Sequence, residues 1–204
     1  MISQKKIFEE LIKKDNKLKV ILDAKKKCPF LKTRHIDEEL LFFELSQSIV
    51  GQQISAKAAE AIWGRIVDSS KKENSFIKAM AKSNLMWART QGLSQRKHEY
   101  IKSTAKSILS NKLSLEAIEN LSNKEAIEFL SSIKGIGPWT AEMFLMFAYR
   151  RLDVFSIGDI ALRRAISKVY EVDDSDHEKM IRISKKWKPY RSVVCWYLWE
   201  YLGV

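Results

Sequence analysis

The chain has 204 residues, 46% of them hydrophobic, which is enough for one large domain or two smaller lobes and argues against a disordered chain. Lysine and arginine number 36 against 25 acidic residues, and the charge of +11 favours an acidic polymer as partner, although a soluble basic protein without such a partner has a similar composition. Two cysteines are too few for a thiolate zinc or iron–sulfur site, and no segment reaches the roughly 18 apolar residues of a membrane span, so we expect an intracellular protein without membrane association.

Apolar residues recur at helical spacing along the chain, and no alternating stretch of useful length predicts a strand. The sequence therefore predicts an all-α fold. The predicted helices cover residues 3–24, 37–50, 56–68, two or three shorter segments within 74–120, a helix after Ser122, and then 139–149, 160–170, 175–186 and 189–201.

Start signals support several of these helices. Ser55 is a predicted N-cap, and residues 122–125 and 175–178 have the Ser-x-x-Glu pattern of a capping box. The segment 139–149 is apolar on nearly every side, which predicts a helix that is buried all round. Among the histidines, His98 and His177 are predicted surface residues.

The most informative segment is 130–141, which predicts a helix end, a Gly-x-Gly turn and a second helix start. Gly135 and Gly137 permit backbone angles that a Cβ would penalise, and they keep side chains away from the turn. Pro138 is suited to a first helical turn, where unpaired N–H groups form an anion site. In a chain of this charge, the predicted anion is a nucleic-acid phosphate, which Lys134 and Thr140 are also placed to contact.

Asp159 follows Gly158 and stands just before a predicted helix. One interpretation is an N-cap, the ordinary role of aspartate at such a position. The other is catalytic: a carboxylate close to bound DNA can stabilise a positively charged sugar as a base departs, or activate a water. The nearby Gly-x-Gly turn favours the catalytic interpretation, and the two remain open at this point.

Residues 135–141, followed by 155–164, resemble the signature of the helix-hairpin-helix DNA glycosylase superfamily. Three further stretches, residues 49–55, 58–59 and 187–192, resemble its alkylation-repair branch, 3-methyladenine DNA glycosylase II. The resemblance implies a two-lobed all-α fold with a catalytic cleft between the lobes. One lobe is a helical barrel of residues 37–150 that ends in the helix-hairpin-helix, and residues 1–36 with 151–204 form the second lobe, which carries the catalytic Asp.

The resemblance also implies a role for individual residues. Asp159 is the catalytic carboxylate, and Gln53 is the wedge that fills the space left by a flipped base. The base pocket consists of Trp139, Trp199 and Met143, and the phosphate-binding residues are Lys134, Gly135, Gly137 and Thr140. The backbone carbonyls of Ser131, Ile133 and Ile136 are expected to hold a structural Na⁺ or K⁺, and no other cofactor is implied.

Trp139 stands where members that also cut the DNA backbone carry a lysine, so the resemblance implies a monofunctional glycosylase. We expect a monomer that binds double-stranded DNA, excises 3-methyladenine and 7-methylguanine in base excision repair, and leaves an abasic site. Aromatic walls suit these positively charged bases. Two alternatives stay open: a glycosylase for uracil, hypoxanthine or an oxidised purine, and a DNA-damage binding module without turnover.

Overall fold

The computed structural model describes residues 3–23 and 25–203, and no strand occurs within these ranges. The prediction of an all-α fold is confirmed. Four short 3-10 segments cover Asn16–Val20, Pro29–Leu31, Glu116–Asn120 and Lys185–Trp187. The α-helices are α1 Gln4–Lys14, α2 Glu38–Gly51, α3 Ala56–Ser70, α4 Phe76–Lys82, α5 Leu85–Gln91, α6 Gln95–Leu109, α7 Asn123–Ser132, α8 Pro138–Phe147, α9 Ile160–Tyr170, α10 His177–Ser184 and α11 Arg191–Leu202.

The chain divides into two compact units. The middle unit is His35–Phe144, and the terminal unit combines Met1–Arg34 with Leu145–Val204. The second division falls within α8, after Phe144, whereas the resemblance implies a boundary after residue 150. The reason is that the last turn of α8 packs within the terminal unit, where the Phe147 ring contacts Phe30 and Trp199.

Each unit has its own apolar core. In the middle unit, α2, α3 and α4 pack together around a cluster of aromatic rings from Phe42, Phe43, Trp63 and Phe76. In the terminal unit, α9 packs against α11, and the fully buried Trp187 anchors the segment before α11. These packed helices position the loops that carry the candidate site.

Side-chain caps start most of the described helices. Nine of the eleven α-helices begin after a Ser, Asp or Asn whose side-chain oxygen accepts a backbone N–H in the first turn. The predicted capping box at Ser122 and Glu125 is present. The predicted box at Ser175 is wrong: Asp176 caps α10, because the Ser175 hydroxyl donates instead to Asp173 at 2.5 Å.

The sequence predicts that α8 is buried on every side, but one face of the helix is partly exposed. Trp139 is 47% exposed and Phe147 is 49% exposed, while Met143 between them is half-buried. Residues four apart lie on the same face of a helix, so these three side chains form one partly open apolar stripe. The helix itself runs from Pro138 to Phe147, one residue earlier at its start and two residues shorter at its end than predicted.

His98 is also placed differently from its prediction. Its side chain is buried within α6, and Nε2 lies 2.8 Å from the Ser83 hydroxyl. Burial lowers the pKa of His98 below its ordinary value of 6.5, the nearby Lys102 lowers it further, and Glu99 opposes the change.

We expect this histidine to make the fold less stable in acid. Between the lowered folded pKa and the unfolded value of about 6.5, the unfolded chain binds more protons, so the free energy of unfolding falls as the pH falls. His98→Gln removes the titration and is expected to flatten this part of the profile, measured by urea unfolding from about pH 7 down to about pH 5. The exposed His177→Gln variant serves as control, and an unchanged slope in His98→Gln would contradict the prediction.

Candidate active site

The Gly-x-Gly turn lies in the loop of residues 133–137, which we call the hairpin loop, between α7 and α8. Its Ile136 N–H donates to the Ile133 carbonyl at 3.0 Å. Gly135 has a φ of +90°, and a Cβ built on it would overlap the Tyr100 ring. Gly137 differs from the prediction, since its φ is not positive and a Cβ there would meet no protein atom within 4 Å. Gly135 is therefore required by the fold, whereas Gly137 only keeps the space in front of the helix open.

Gly137 is the residue before α8, and its carbonyl accepts the Ala141 N–H at 2.9 Å. Pro138 is the first residue of the helix, and the preceding Gly137 has no side chain to offer. The helix start therefore keeps its partial positive charge accessible, the arrangement that binds anions. Lys134 is exposed in the turn, whereas Thr140 is buried, so its side chain is not placed to contact a phosphate as predicted.

Gln53, the predicted wedge, lies just beyond the end of α2. It is exposed and has a φ of +57°, a left-handed conformation that costs a non-glycine residue free energy and is concentrated at functional sites. Its neighbour Gln52 donates from Nε2 to the Gly135 carbonyl at 2.9 Å. This bond connects the predicted wedge to the hairpin loop within the middle unit, and nothing in the local sequence pattern indicates it.

Asp159 lies in the terminal unit, directly before α9, and is half-buried. Its Oδ1 accepts the Leu162 backbone N–H at 2.7 Å, which makes Asp159 the N-cap of α9. The same oxygen accepts the Trp199 indole Nε1–H at 3.1 Å. The two interpretations of this residue are therefore compatible, because the capping bond and the indole together fix the direction of a carboxylate that is not enclosed in the core.

The segment 187–192 explains how Trp199 reaches this carboxylate. Arg191 binds Asp153 through Nε and Nη2, at 2.7 and 3.0 Å, and the buried Ser192 hydroxyl hydrogen-bonds the backbone of Val154. These contacts fix the start of α11 against the chain that leads to α9. Trp199, two turns later on α11, is thereby held within hydrogen-bonding distance of the Asp159 carboxylate.

Phe147 is a candidate site residue that the sequence does not single out. Its ring stacks on Trp199, with centroids 6.0 Å apart and an interplanar angle of 24°, and it meets the buried Phe30 edge-on at 5.1 Å. Half of its surface nevertheless stays exposed. The available signal was its spacing of eight residues from Trp139, which places both rings on one face of α8.

The HhH-GPD superfamily of base excision DNA repair proteins matches residues 47–189 of the chain. The chain belongs to this superfamily. The resemblance inferred from the sequence is thus confirmed at the level of the family, and the matched range contains the predicted wedge residue Gln53, the hairpin loop and Asp159.

Individual relatives are 3-methyladenine glycosylases by name. DNA-3-methyladenine glycosylase 1 of Schizosaccharomyces pombe is 31% identical over 170 residues, which are 82% of this chain and 75% of that protein. A crystal structure of DNA-3-methyladenine glycosidase from Bacillus halodurans has a TM-score of 0.83 at 34% identity, covering 97% of this chain and 89% of that one. The S. pombe 3-methyladenine DNA glycosylase Mag1, solved in complex with abasic DNA, has a TM-score of 0.79 at 28% identity and covers 98% and 97%.

Coverage differs among the relatives. Two other curated proteins, from Bacillus subtilis and S. pombe, are matched over 33% and 41% of their own lengths.

Within residues 3–23 and 25–203, no group of three or more His, Cys, Asp or Glu side chains is placed to hold a metal ion. In the same ranges, no helix has the length and hydropathy to cross a membrane.

The indole bond to Asp159 gives a direct test of this HhH-GPD site. Trp199→Phe removes the Nε1–H donor but keeps an aromatic ring to stack on Phe147. We expect the free energy of unfolding to stay within about 1 kcal/mol and base release to slow by about tenfold, because the carboxylate loses one of the hydrogen bonds that aim it. Trp196→Phe on the same helix is the matched control. Single-turnover release of methylated base measures both variants, and equal rates would refute the role of the indole.

Proposed function

We propose that the chain is a monofunctional DNA glycosylase that flips alkylated purines out of duplex DNA and hydrolyses their N-glycosidic bond. The product is an abasic site, the substrate of the next step in base excision repair. The observation that carries the proposal is the half-buried Asp159 carboxylate, held by the cap of α9 and by the Trp199 indole. Membership of the HhH-GPD superfamily and the names of the relatives support it.

The carboxylate acts on the sugar. As the bond to the base breaks, positive charge develops at the anomeric carbon, and a fixed negative charge stabilises that transition state more than it stabilises the substrate. N3-methyladenine and N7-methylguanine already carry a positive charge and leave readily. A site for these bases therefore has little need of a general acid beside the departing base.

Aromatic rings supply the selectivity for cationic bases. We assign Trp139 and Met143 on α8 and Trp199 on α11 to contacts with the extruded base, and add Phe147 to them. A cation over an aromatic face gains roughly 0.5–2 kcal/mol, and extrusion costs less where pairing is already weakened. Trp139 and Phe147 are 47% and 49% exposed, which supports this assignment.

Hydrolysis without strand cleavage follows from the residue at position 139. An indole has no nucleophilic amine, so it forms no Schiff base with the sugar. The neighbouring Lys134 belongs to the hairpin loop, where we assign it to phosphate. Borohydride is therefore expected to trap no covalent adduct with DNA.

The hairpin loop and the start of α8 are assigned to the DNA backbone. Lys134 and the backbone of Gly135, Gly137 and Thr140 bind phosphate, and Gln53 enters the space that the flipped base leaves. Contacts of this kind make binding depend on salt without giving sequence preference.

We also propose a monovalent cation beside this loop. The predicted donors are the carbonyls of Ser131, Ile133 and Ile136, and neutral oxygens suit a hard cation such as Na⁺ or K⁺. The Ser131 hydroxyl is buried at this point without a hydrogen-bond partner, which is consistent with a missing polar neighbour. When bound, the cation supplies positive charge next to the phosphate.

Incubation with methylated duplex DNA tests the proposed function. We expect free 3-methyladenine and 7-methylguanine by chromatography, unbroken strands before alkali, and cleavage after alkali. A panel containing uracil, hypoxanthine and 8-oxoguanine duplexes identifies a glycosylase of another specificity. Tight binding to damaged DNA with no base released would instead identify a damage-binding module and overturn the proposal.

A further inference from the structure

The chain just after α2 is held in place from α6. Lys97 on α6 donates from Nζ to the Val50 carbonyl at 2.8 Å and to the Gln52 carbonyl at 2.6 Å. The carbonyls at a helix end lack helical partners and carry partial negative charge. An ammonium group both donates hydrogen bonds to them and balances this charge. The residue immediately after these anchored carbonyls is Gln53, in its left-handed conformation.

The same helix also supports the hairpin loop. Tyr100 lies one turn after Lys97, on the same face of α6, and its ring packs directly against Gly135. Gln52 closes the arrangement, because its amide donates to the Gly135 carbonyl. A single turn of α6 thus fixes the end of α2 through Lys97 and the hairpin loop through Tyr100, and the Gln52 side chain joins the two loops.

We propose that Lys97 is a positioning residue of the glycosylase: by holding the two carbonyls before Gln53, it fixes the wedge in register with the phosphate-binding hairpin loop. The inference rests on the proposed function and on the wedge role of Gln53. Lys97 touches neither the base nor the sugar. Lys97 affects the equilibrium between the stacked and the extruded base, because a loosely held wedge does not prevent the base from returning to the DNA duplex.

The chain offers a matched control on the same helix. Lys102 is also half-buried, and it also donates from Nζ to a carbonyl at the end of a helix, that of Ser83 after α4. Lys97→Met and Lys102→Met therefore remove the same charge and the same kind of bond. Only the first affects the loop that carries Gln53, so a general loss of stability or of positive charge is common to both variants.

Single-turnover excision gives the first readout. We expect Lys97→Met to slow release of an alkylated purine from a fully paired duplex by about tenfold relative to Lys102→Met, and to slow release from a mismatched duplex much less, since extrusion is easier there. Lys97→Arg keeps donors for the two carbonyls and is expected to recover most of the rate. Equal rates for the two Met variants on both duplexes would overturn the inference.

A double-mutant cycle shows whether Lys97 acts through the wedge. If it does, Lys97→Met adds nothing to Gln53→Ala, and the double variant is as slow as Gln53→Ala alone. Multiplicative losses in the double variant would mean that Lys97 acts by another route and would refute the positioning role.

A binding measurement separates this inference from the proposed function. The probe is a duplex with a tetrahydrofuran abasic analogue opposite 2-aminopurine, whose fluorescence changes when the wedge alters its stacking. We expect the change with wild type and Lys102→Met and its loss with Lys97→Met at saturating protein. If wild type releases no base from any lesion yet produces this pattern, the proposed reaction fails and the positioning role stands. If all three proteins give the same signal, the positioning role fails whatever the excision assay shows.

Discussion

Asp159→Asn is expected to lower the rate of base release by at least about 100-fold, because the transition state loses a fixed negative charge while the amide remains in place. Asparagine caps a helix as well as aspartate does, so the bond to the Leu162 N–H and the folded structure persist. Affinity for an abasic-analogue duplex is expected to stay equal or to increase, since a negative charge near phosphates is removed. Single-turnover release and equilibrium binding measure the two effects separately.

Asp176→Asn provides the matched control. Asp176 caps α10 as Asp159 caps α9, accepting the Lys179 backbone N–H at 3.0 Å. The same chemical change at this cap is expected to leave base release and melting temperature nearly unchanged. If Asp159→Asn released base as fast as Asp176→Asn, the carboxylate would be a cap and no more.

Substitution of the two hairpin glycines separates a requirement of the fold from a requirement of binding. Gly135→Ala is expected to lower the free energy of unfolding by about 2 kcal/mol or more, because alanine at a φ of +90° is strained and its Cβ overlaps the Tyr100 ring. Gly137→Ala is expected to change that free energy by less than about 0.5 kcal/mol, since its Cβ meets no protein atom. Urea unfolding measures both values.

Gly137→Ala is expected to have a large effect on DNA affinity, in contrast to its small effect on stability. Its added methyl group stands in front of the start of α8, where we assign the phosphate, so affinity for an abasic-analogue duplex is expected to fall by about tenfold in a stable protein. Gly158→Ala, another glycine whose Cβ would meet nothing, is the control for a methyl group added elsewhere. Unchanged affinity in Gly137→Ala would place the phosphate away from this helix start.

Much of the fold could be predicted because its signals are local. Apolar spacing defines the helices, and the cap residues mark their starts, as at Ser55 and Ser122. The position of Asp159 before α9 and the hairpin loop before α8 were also readable for this reason. Where two cap residues are neighbours, as at Ser175 and Asp176, local pattern does not decide between them, and the contact to Asp173 does.

The remainder of the site depends on contacts between distant parts of the chain. Lys97 and Gln52 reach partners 47 and 83 residues away, and periodicity carries no information about such pairs. The exposure of Phe147 was hidden for another reason: a helix with no polar face gives no sign of which apolar face stays open. The surface prediction for His98 is wrong because the charged residues beside it on α6 indicate a solvent-facing turn, while its own side chain is buried.

The two roles of Asp159, as the cap of α9 and as the proposed catalytic carboxylate, affect how much conformational entropy is lost when DNA binds. The bond to the Leu162 N–H forms when α9 forms, so the carboxylate is already immobile before any nucleotide arrives. In the proposed reaction, no reorganisation of this charge is then needed for each lesion, and bases of different shape would meet the same preset electrostatic environment. In the proposed reaction, tolerance of several leaving groups is therefore compatible with a fixed Asp159 carboxylate, provided that the surrounding rings and not the carboxylate accommodate the variation.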